Sequence, residues 1–216
     1  QDTEKIARAT WESVGVKVLS SDWYERGTTE FAPIAAKLAS MKPDAIDLAA
    51  SPPADAGSVF KELKVAGWDG VKVVEVGTGA EGLVATGGDA VEGTYMGAAV
   101  TFNGPNTTAR QRELNEGGIK ATGESLNAVQ IGFYDSVMAL KAAMEKAQSI
   151  DPKEVAKVLP ETTFNSFYGP AGFGGEATYG SPQQILVPVI VTQMKGGELV
   201  EVSRIEPAEL AKRASK

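Results

Sequence analysis

The sequence contains no cysteine and no histidine. Their absence removes thiol nucleophiles, the Ser-His-Asp triad, zinc sites built from Cys and His, and any histidine general base. Catalysis, if there were any, would fall to carboxylates, Lys, Tyr or a bound cofactor. A chain without free thiols also suits an oxidising compartment. Long apolar runs are lacking: the longest, ILVPVIV at 185–191, is far short of the ~20 residues of a membrane span and is broken by Pro188. Positive charge is in the minority, with 21 Lys and Arg against 28 Asp and Glu and a net charge of −7. No basic patch is seen along the chain, so nucleic acid and anionic membrane surfaces, which reward clustered cations, are not expected partners. The opening QDTEKIARATWES has neither an initiator Met nor an apolar signal segment, and reads as a processed or truncated chain.

What is present is a composition able to bury a core: 216 residues, 43% of them hydrophobic, enough for one large or two small domains. The first hundred residues alternate between helical and strand patterns. A helix over 2–13 leads to a strand over 16–21, and TTEFAPIAAKLASM places Phe31, Ile34, Ala35, Leu38 and Met41 on one helical face, with Thr28 or Thr29 as cap. Strands at 44–51, 71–76 and 93–102 then alternate with a helix at 54–67 and a helical turn at 81–86. Strand and helix in alternation with short loops predict a parallel α/β sheet.

After Phe102 the pattern becomes helical. TTARQRELNEG and the segment 125–147 are followed by DPKEVAKVL, where Asp151, Pro152 and Glu154 match a cap, a first helical residue and a capping box. NTT at 106–108 matches a glycosylation sequon and reads rather as the cap of a helix. In the long middle helix, Leu126, Val129, Phe133, Val137, Leu140 and Met144 form one apolar stripe. Three helices without an intervening strand need a flat surface to pack on; the sheet of the first hundred residues has its own helices, so the chain is expected to offer no strands for 107–159 to cover. The end turns β-like again, with two strands flanking KGG at 195–197 as a hairpin.

VVEVGTGAEG at 73–82 spaces Gly77, Gly79 and Gly82 as dinucleotide-binding loops do. Such loops open a long helix and are followed by an acidic residue at the end of the next strand. Here Gly87 and Gly88 limit the helix to two turns, and the next strand ends without Asp or Glu. A loop at the carboxyl edge of a parallel strand is the better reading, and this is where open α/β sheets meet small ligands. Glu75, Asp89, Glu92 and Asp22 lie on separate units and read as solvated loop charges.

Six stretches in order carry a family resemblance: GTTEFAPIAAKLASMKPDAI, GSVFKELKVAGW, GGDAVEGTY, FYDSVMALKAAMEKA, YGPAGFGGEATYG and PVIVTQMKGGE. Together they resemble the type I solute-binding proteins of ABC transporters, in the branch of branched-chain amino acid and aromatic acid receptors, over nearly the whole chain. The resemblance implies an α/β fold of two lobes that close on a ligand, only partly represented here. Residues 1–102 would belong to the second lobe, 103–165 would be helices covering the first, and 166–216 would cross and return to the second. The first part of lobe one, with its central sheet, would lie outside the chain.

Carried over residue by residue, the resemblance places Ser51, after the second strand, at the ligand. It places Glu75, Val76 and Gly77 where amino-acid-binding members hold a carboxylate for the ligand ammonium, with Tyr24 and Phe102 as further candidates. The Gly-Pro-Glu turn of those members is absent and Glu75 aligns with a one-residue shift, which leaves an aromatic or other small carboxylate open beside an amino acid. The implied protein is a periplasmic or extracellular receptor, free or lipid-anchored, without catalysis, cofactor or metal. Its partners would be a small molecule, the membrane subunits of an ABC transporter and the missing part of the same protein. Two alternatives are an NAD(P)-dependent oxidoreductase using Gly77–Gly82 and a sensor or regulator ligand core on the same fold.

Overall fold

A run of β-branched residues flanked by Asp69-Gly70 and a glycine loop forms a strand because its side chains suit a pleated surface. Such runs recur along the first hundred residues of the computed structural model, which describes residues 2–49, 51–75, 80–97 and 100–210. In chain order the elements are α1 (Asp2–Ser13), α2 (Ala32–Ser40), β1 (Ala45–Asp47), α3 (Pro53–Val65), β2 (Val71–Val74), α4 (Glu81–Gly87) and β3 (Tyr95–Met96). They continue with α5 (Ala109–Thr122), α6 (Ala128–Ala147), α7 (Pro152–Val158), β4 (Phe164–Ser166), β5 (Gly169–Gly174), α8 (Glu176–Tyr179), β6 (Gln184–Leu186), β7 (Val189–Lys195) and β8 (Glu198–Ile205). The chain divides into two compact units, 1–99 with 191–201, and 100–190 with 202–216.

In the first unit β1, β2 and β3 are parallel neighbours, and β7 joins β3 antiparallel with β8 beyond it. Ile46 and Val74 share one face of the sheet, where Phe60 and Leu63 of α3, Leu83 of α4, Met96 and Met194 complete a buried cluster. Each such side chain contributes about 1.5–3 kcal/mol on burial. The hairpin between β7 and β8 turns on Gly196 and Gly197, whose φ values of +60° and +82° are open to glycine at little cost.

Two expectations for this unit are corrected. Residues 16–21 form no strand: Val16 and Leu19 are exposed and the segment has no ladder neighbour among the described residues, and alternation without a partner does not make a strand. α2 starts at Ala32 rather than at Thr28 or Thr29, with buried Phe31 at the cap and no side-chain cap bond, while the Thr28 hydroxyl bonds back to Glu25 in a preceding turn.

In the second unit β4, β5 and β6 form an antiparallel sheet around Phe164, Ala171 and Phe173. α6 packs on β4, so the helical segment does have strands to lie on, contrary to the reading from sequence. The face it buries carries Ile131, Asp135, Ala139 and Ala143. The apolar stripe is turned outward instead: Phe133 is 70% and Val137 64% exposed, with Val129 and Leu140 beside them. Thr108 caps α5 in a full capping box with Gln111, and Asn127 does the same for α6 with Gln130. Asp151 caps α7 through the backbone N–H groups of Lys153 and Glu154, but the expected box does not close. The Asp151 N–H donates to Ser149, and Glu154 pairs with Lys157.

Candidate functional site

The register of the parallel sheet decides which side chains meet at its carboxyl edge. Asp47, the last residue of β1, is paired with Val73, so Asp47 and Glu75, two residues further along β2, share the face opposite the core cluster. The ladder continues past both strands: Leu48 N–H donates to Val73 O (2.9 Å) and Glu75 N–H to Ala49 O (3.0 Å). Ala49 has φ +48°, a left-handed conformation that a non-glycine residue adopts at a cost of about 1 kcal/mol or more. In this bent conformation the Ala49 N–H donates to Asp47 Oδ1 at 2.8 Å. Trp11 of α1 donates its indole Nε1–H to Asp47 Oδ2, also at 2.8 Å.

Both oxygens of Asp47 therefore accept an N–H. Glu75 has the opposite surroundings. It is half-buried, no cation pairs with it among the described residues, and Asp47 lies beside it. Burial, then the charge of Asp47 and the hydrogen bond between the two, push the Glu75 carboxyl up to about 7.

Ser51 lies just beyond, between β1 and α3, with its N–H on Leu48 O (3.0 Å). Tyr24 stands near it, its ring edge-on to Phe31 at 5.3 Å. The Tyr24 hydroxyl is buried and makes no formed hydrogen bond, although Ser51 and Asp55 are close enough to act on it. Burial is the main cause that raises its pKa. The structure thus brings Tyr24 to Ser51, and Glu75 to Asp47, all on the first unit. Phe102 belongs to the second unit, where it packs edge-on against Phe167 at 5.9 Å. Val76 and Gly77 lie outside the described residues.

The other acids weighed from sequence have ordinary structural partners. Asp22 pairs with Lys37, Asp89 with Lys64, and Glu92 accepts the Gly196 N–H at 3.0 Å. Gly82 lies against the start of α3, where an added Cβ would sit 3.3 Å from Ala54 N, so its small size serves helix packing. The helix after the glycine loop has seven residues, short of the long helix that a dinucleotide site places under its pyrophosphate. A broad open depression of about 920 Å³ lies at the amino ends of β1, β2 and β3, around Pro43, Trp68 and Tyr95. That is the edge opposite to the one where α/β sheets receive ligands.

A parallel sheet with a polar cluster at its carboxyl edge accords with a match between residues 1–198 and the periplasmic binding protein family model. The chain belongs to the periplasmic binding protein family. Family membership implies an extracytoplasmic location, and no helix among the described residues is long and apolar enough to cross a membrane.

Solved structures share this binding-protein fold. A leucine binding protein from Thermotoga maritima superposes with a TM-score of 0.79 at 21% identity, over 96% of this chain and 57% of its own. A branched-chain amino acid transporter substrate binding protein from Streptococcus pneumoniae, in complex with isoleucine, gives 0.74 at 17% identity, over 96% and 57%. An ABC transporter solute binding protein from R. palustris, in complex with benzoate, gives 0.72 at 17%, over 93% and 53%. At these identities the likeness is one of fold, and the chain spans little more than half the length of these proteins.

Sequence reasoning missed Asp47 and Trp11. The available signal was an acid as the last residue of a short apolar parallel strand, where a charge sits at the ligand-facing edge. Its link to Trp11 joins residues 36 apart and has no local pattern.

Proposed function

We propose that this chain is part of an extracytoplasmic receptor that captures a small amino acid and delivers it to an ABC transporter, without catalysis. The observation that carries the reading is the half-buried Asp47–Glu75 pair, which has no cationic partner among the described residues. A ligand ammonium supplies the missing charge, and a charge-assisted hydrogen bond to Glu75 gives it direction. Ser51 and the Tyr24 hydroxyl are proposed neutral polar contacts at this edge, and Val76, Gly77 and Phe102 remain proposed contacts by family resemblance. Closure of the receptor's two lobes is the proposed binding step, with residues 1–102 in the second lobe, 103–165 covering the first and 166–216 returning to the second.

The exposed Phe133 and Val137 stripe supports a further part of the proposal. Contiguous apolar surface of this kind marks an interface, and we assign its cover to polypeptide outside these 216 residues that completes the first lobe. Periplasmic placement, free or lipid-anchored, follows from the same reading. An aromatic carboxylate is the second reading, since a protonated Glu75 can donate to a ligand carboxylate.

A thermal-shift panel on the intact receptor with leucine, isoleucine, benzoate and NAD tests this. A ligand that binds only the folded form raises the melting temperature. Leucine or isoleucine should do so, and Glu75→Gln should weaken that ligand by about 1.5–3 kcal/mol while leaving benzoate little changed. A shift with NAD alone would overturn the proposal.

A further inference from the structure

We propose that the first sheet holds one more parallel strand, supplied by polypeptide of the same protein outside these 216 residues, between β1 and the extended segment 17–24. The inference rests on the part of the functional reading that places further polypeptide of the receptor outside this chain, and adds that it completes the sheet beside the candidate site as well as the first lobe.

Two edges lack partners. In β1, Asp44 O accepts the Val71 N–H at 2.8 Å and the Leu48 N–H donates to Val73 O at 2.9 Å, so the even-numbered residues face β2. The backbone N–H and C=O groups of Ala45 and Asp47 therefore point the other way, and β1 is the last strand of its sheet on that side. Residues 17–24 make no backbone hydrogen bond to any described residue. Their burial nevertheless alternates: every even residue from Val18 to Tyr24 is half-buried and every odd one from Lys17 to Trp23 is exposed. A period of two is the exposure pattern of a strand, without the ladder that would make it one.

The segment runs in the same direction as β1. Asp22 pairs with Lys37 in the last turn of α2, and the Tyr24 ring meets Phe31 at the start of that helix, 5.3 Å away. Segment 17–24 is thus antiparallel to α2, and α2 leads back into β1, which is the path of a parallel strand–helix–strand unit. α2 is itself fixed, with Phe31 and Ala35 buried in the cluster that holds Ile46, Phe60 and Leu63. The segment cannot slide onto β1 without breaking its contacts with α2. α2 and α3 cover one face of this edge, and the Trp11 indole reaches Asp47 on the other.

An unpaired edge on each side and cover on both faces describe the seat of a buried strand, which lies about 4.8 Å from each neighbour and reads as an apolar run. A second copy would have to thread between two segments that α2 joins, whereas continuous chain of the same protein meets no such barrier. The solved structures of this fold leave room for it, since this chain covers 57% of one and 53% of another. The carboxyl end of the added strand emerges between Tyr24 and Asp47, so the candidate site is incomplete without it.

NMR of the intact, deuterated receptor tests this. The Ala45 and Asp47 amides, and alternate amides within 17–24, should exchange at least about a hundredfold more slowly than unstructured amides. Cross-strand NOEs from β1 and from 17–24 should lead to one and the same run of residues outside the 216. Free exchange at Ala45 and Asp47, NOEs directly between β1 and 17–24, or NOEs to a second, differently labelled copy would each overturn the proposal. The thermal shifts with leucine and benzoate decide the ligand reading separately, because these strand contacts are read without ligand.

Discussion

Gly57→Ala should destabilise the first unit even though alanine is the better helix former. In α3, an added Cβ at Gly57 would lie 2.2 Å from Thr86 Oγ1, 2.4 Å from Leu83 O and 2.9 Å from Gly87 N, all on α4. An ordinary contact needs roughly 3.4–4 Å, so α4 must retreat by about 1 Å at a backbone carbonyl that cannot rotate away. Retreat loosens Leu83, fully buried in the core cluster, and strains the 2.7 Å bond from the Thr86 hydroxyl to Ala54 O. Overpacking of this kind costs about 1–3 kcal/mol and the weakened hydrogen bond about 0.5–1.5, against a helix-propensity gain of about 1. The net loss is about 1–3 kcal/mol, or roughly 2–10 °C in melting temperature for a chain of this size. Gly117→Ala supplies the control. Gly117 lies inside α5 with nothing within 4 Å of its added Cβ, so the same chemical change should stabilise by about 0.5–1 kcal/mol. Denaturant unfolding of the two variants side by side is the assay. Equal shifts, or a stabilised Gly57→Ala, would refute the close approach of α3 and α4 and the reasoning built on it.

Stability should fall as pH rises from the ordinary glutamate range towards pH 7, because Glu75 keeps its proton in the folded protein there and loses it in the unfolded chain. Above pH 7 both states are ionised and the dependence levels off; urea midpoints at pH 5 and pH 8 measure this, and Glu75→Gln should flatten the difference. Asp135, 4% exposed, accepts the Phe167 N–H at 2.5 Å. Asp135→Ala leaves that buried donor unpaired and should cost about 1–3 kcal/mol in denaturant unfolding, with no loss giving evidence against a structural bond. Phe133→Glu combined with Val137→Lys should reduce self-association of the 216-residue chain in sedimentation while changing its stability by no more than about 0.5 kcal/mol, since both positions are exposed. A larger loss would mean that the stripe is already packed.

Local signals in the sequence were strong where the structure is decided locally. The NTT stretch supplies a cap through Thr108, Asp151 caps its helix and the glycine pair at 196–197 turns its hairpin, because caps and turns involve groups two or three residues apart. The glycine loop could be set aside as a dinucleotide site from the seven-residue helix that follows. α6 misled because its large apolar residues advertise one face, while the face packed on β4 uses alanines, Ile131 and a buried acid. Small residues let the strand approach, and Asp135 interrupts the apolar period while satisfying the β4–β5 turn at Phe167. At the candidate site, Glu75 was legible from its place at a strand end. Its partner was not, because the Asp47–Glu75 meeting depends on the register between strands more than twenty residues apart in the chain.

The antiparallel strand beside β3 has a consequence for how the protein is made. Gly93 N–H donates to Met194 O and Thr192 Oγ1 to Met96 O, so the first sheet is closed by residues about a hundred positions downstream. On a ribosome, β1, β2 and β3 emerge long before β7, and the second unit is synthesised almost entirely in between. Until β7 arrives, β3 presents an open edge able to pair with the wrong chain. Such long-range closure slows folding and extends the exposure of incomplete sheets. A holding chaperone that occupies the β3 edge during synthesis would therefore matter more for this chain than its final stability suggests, and splitting it between the units would leave the first one permanently unfinished.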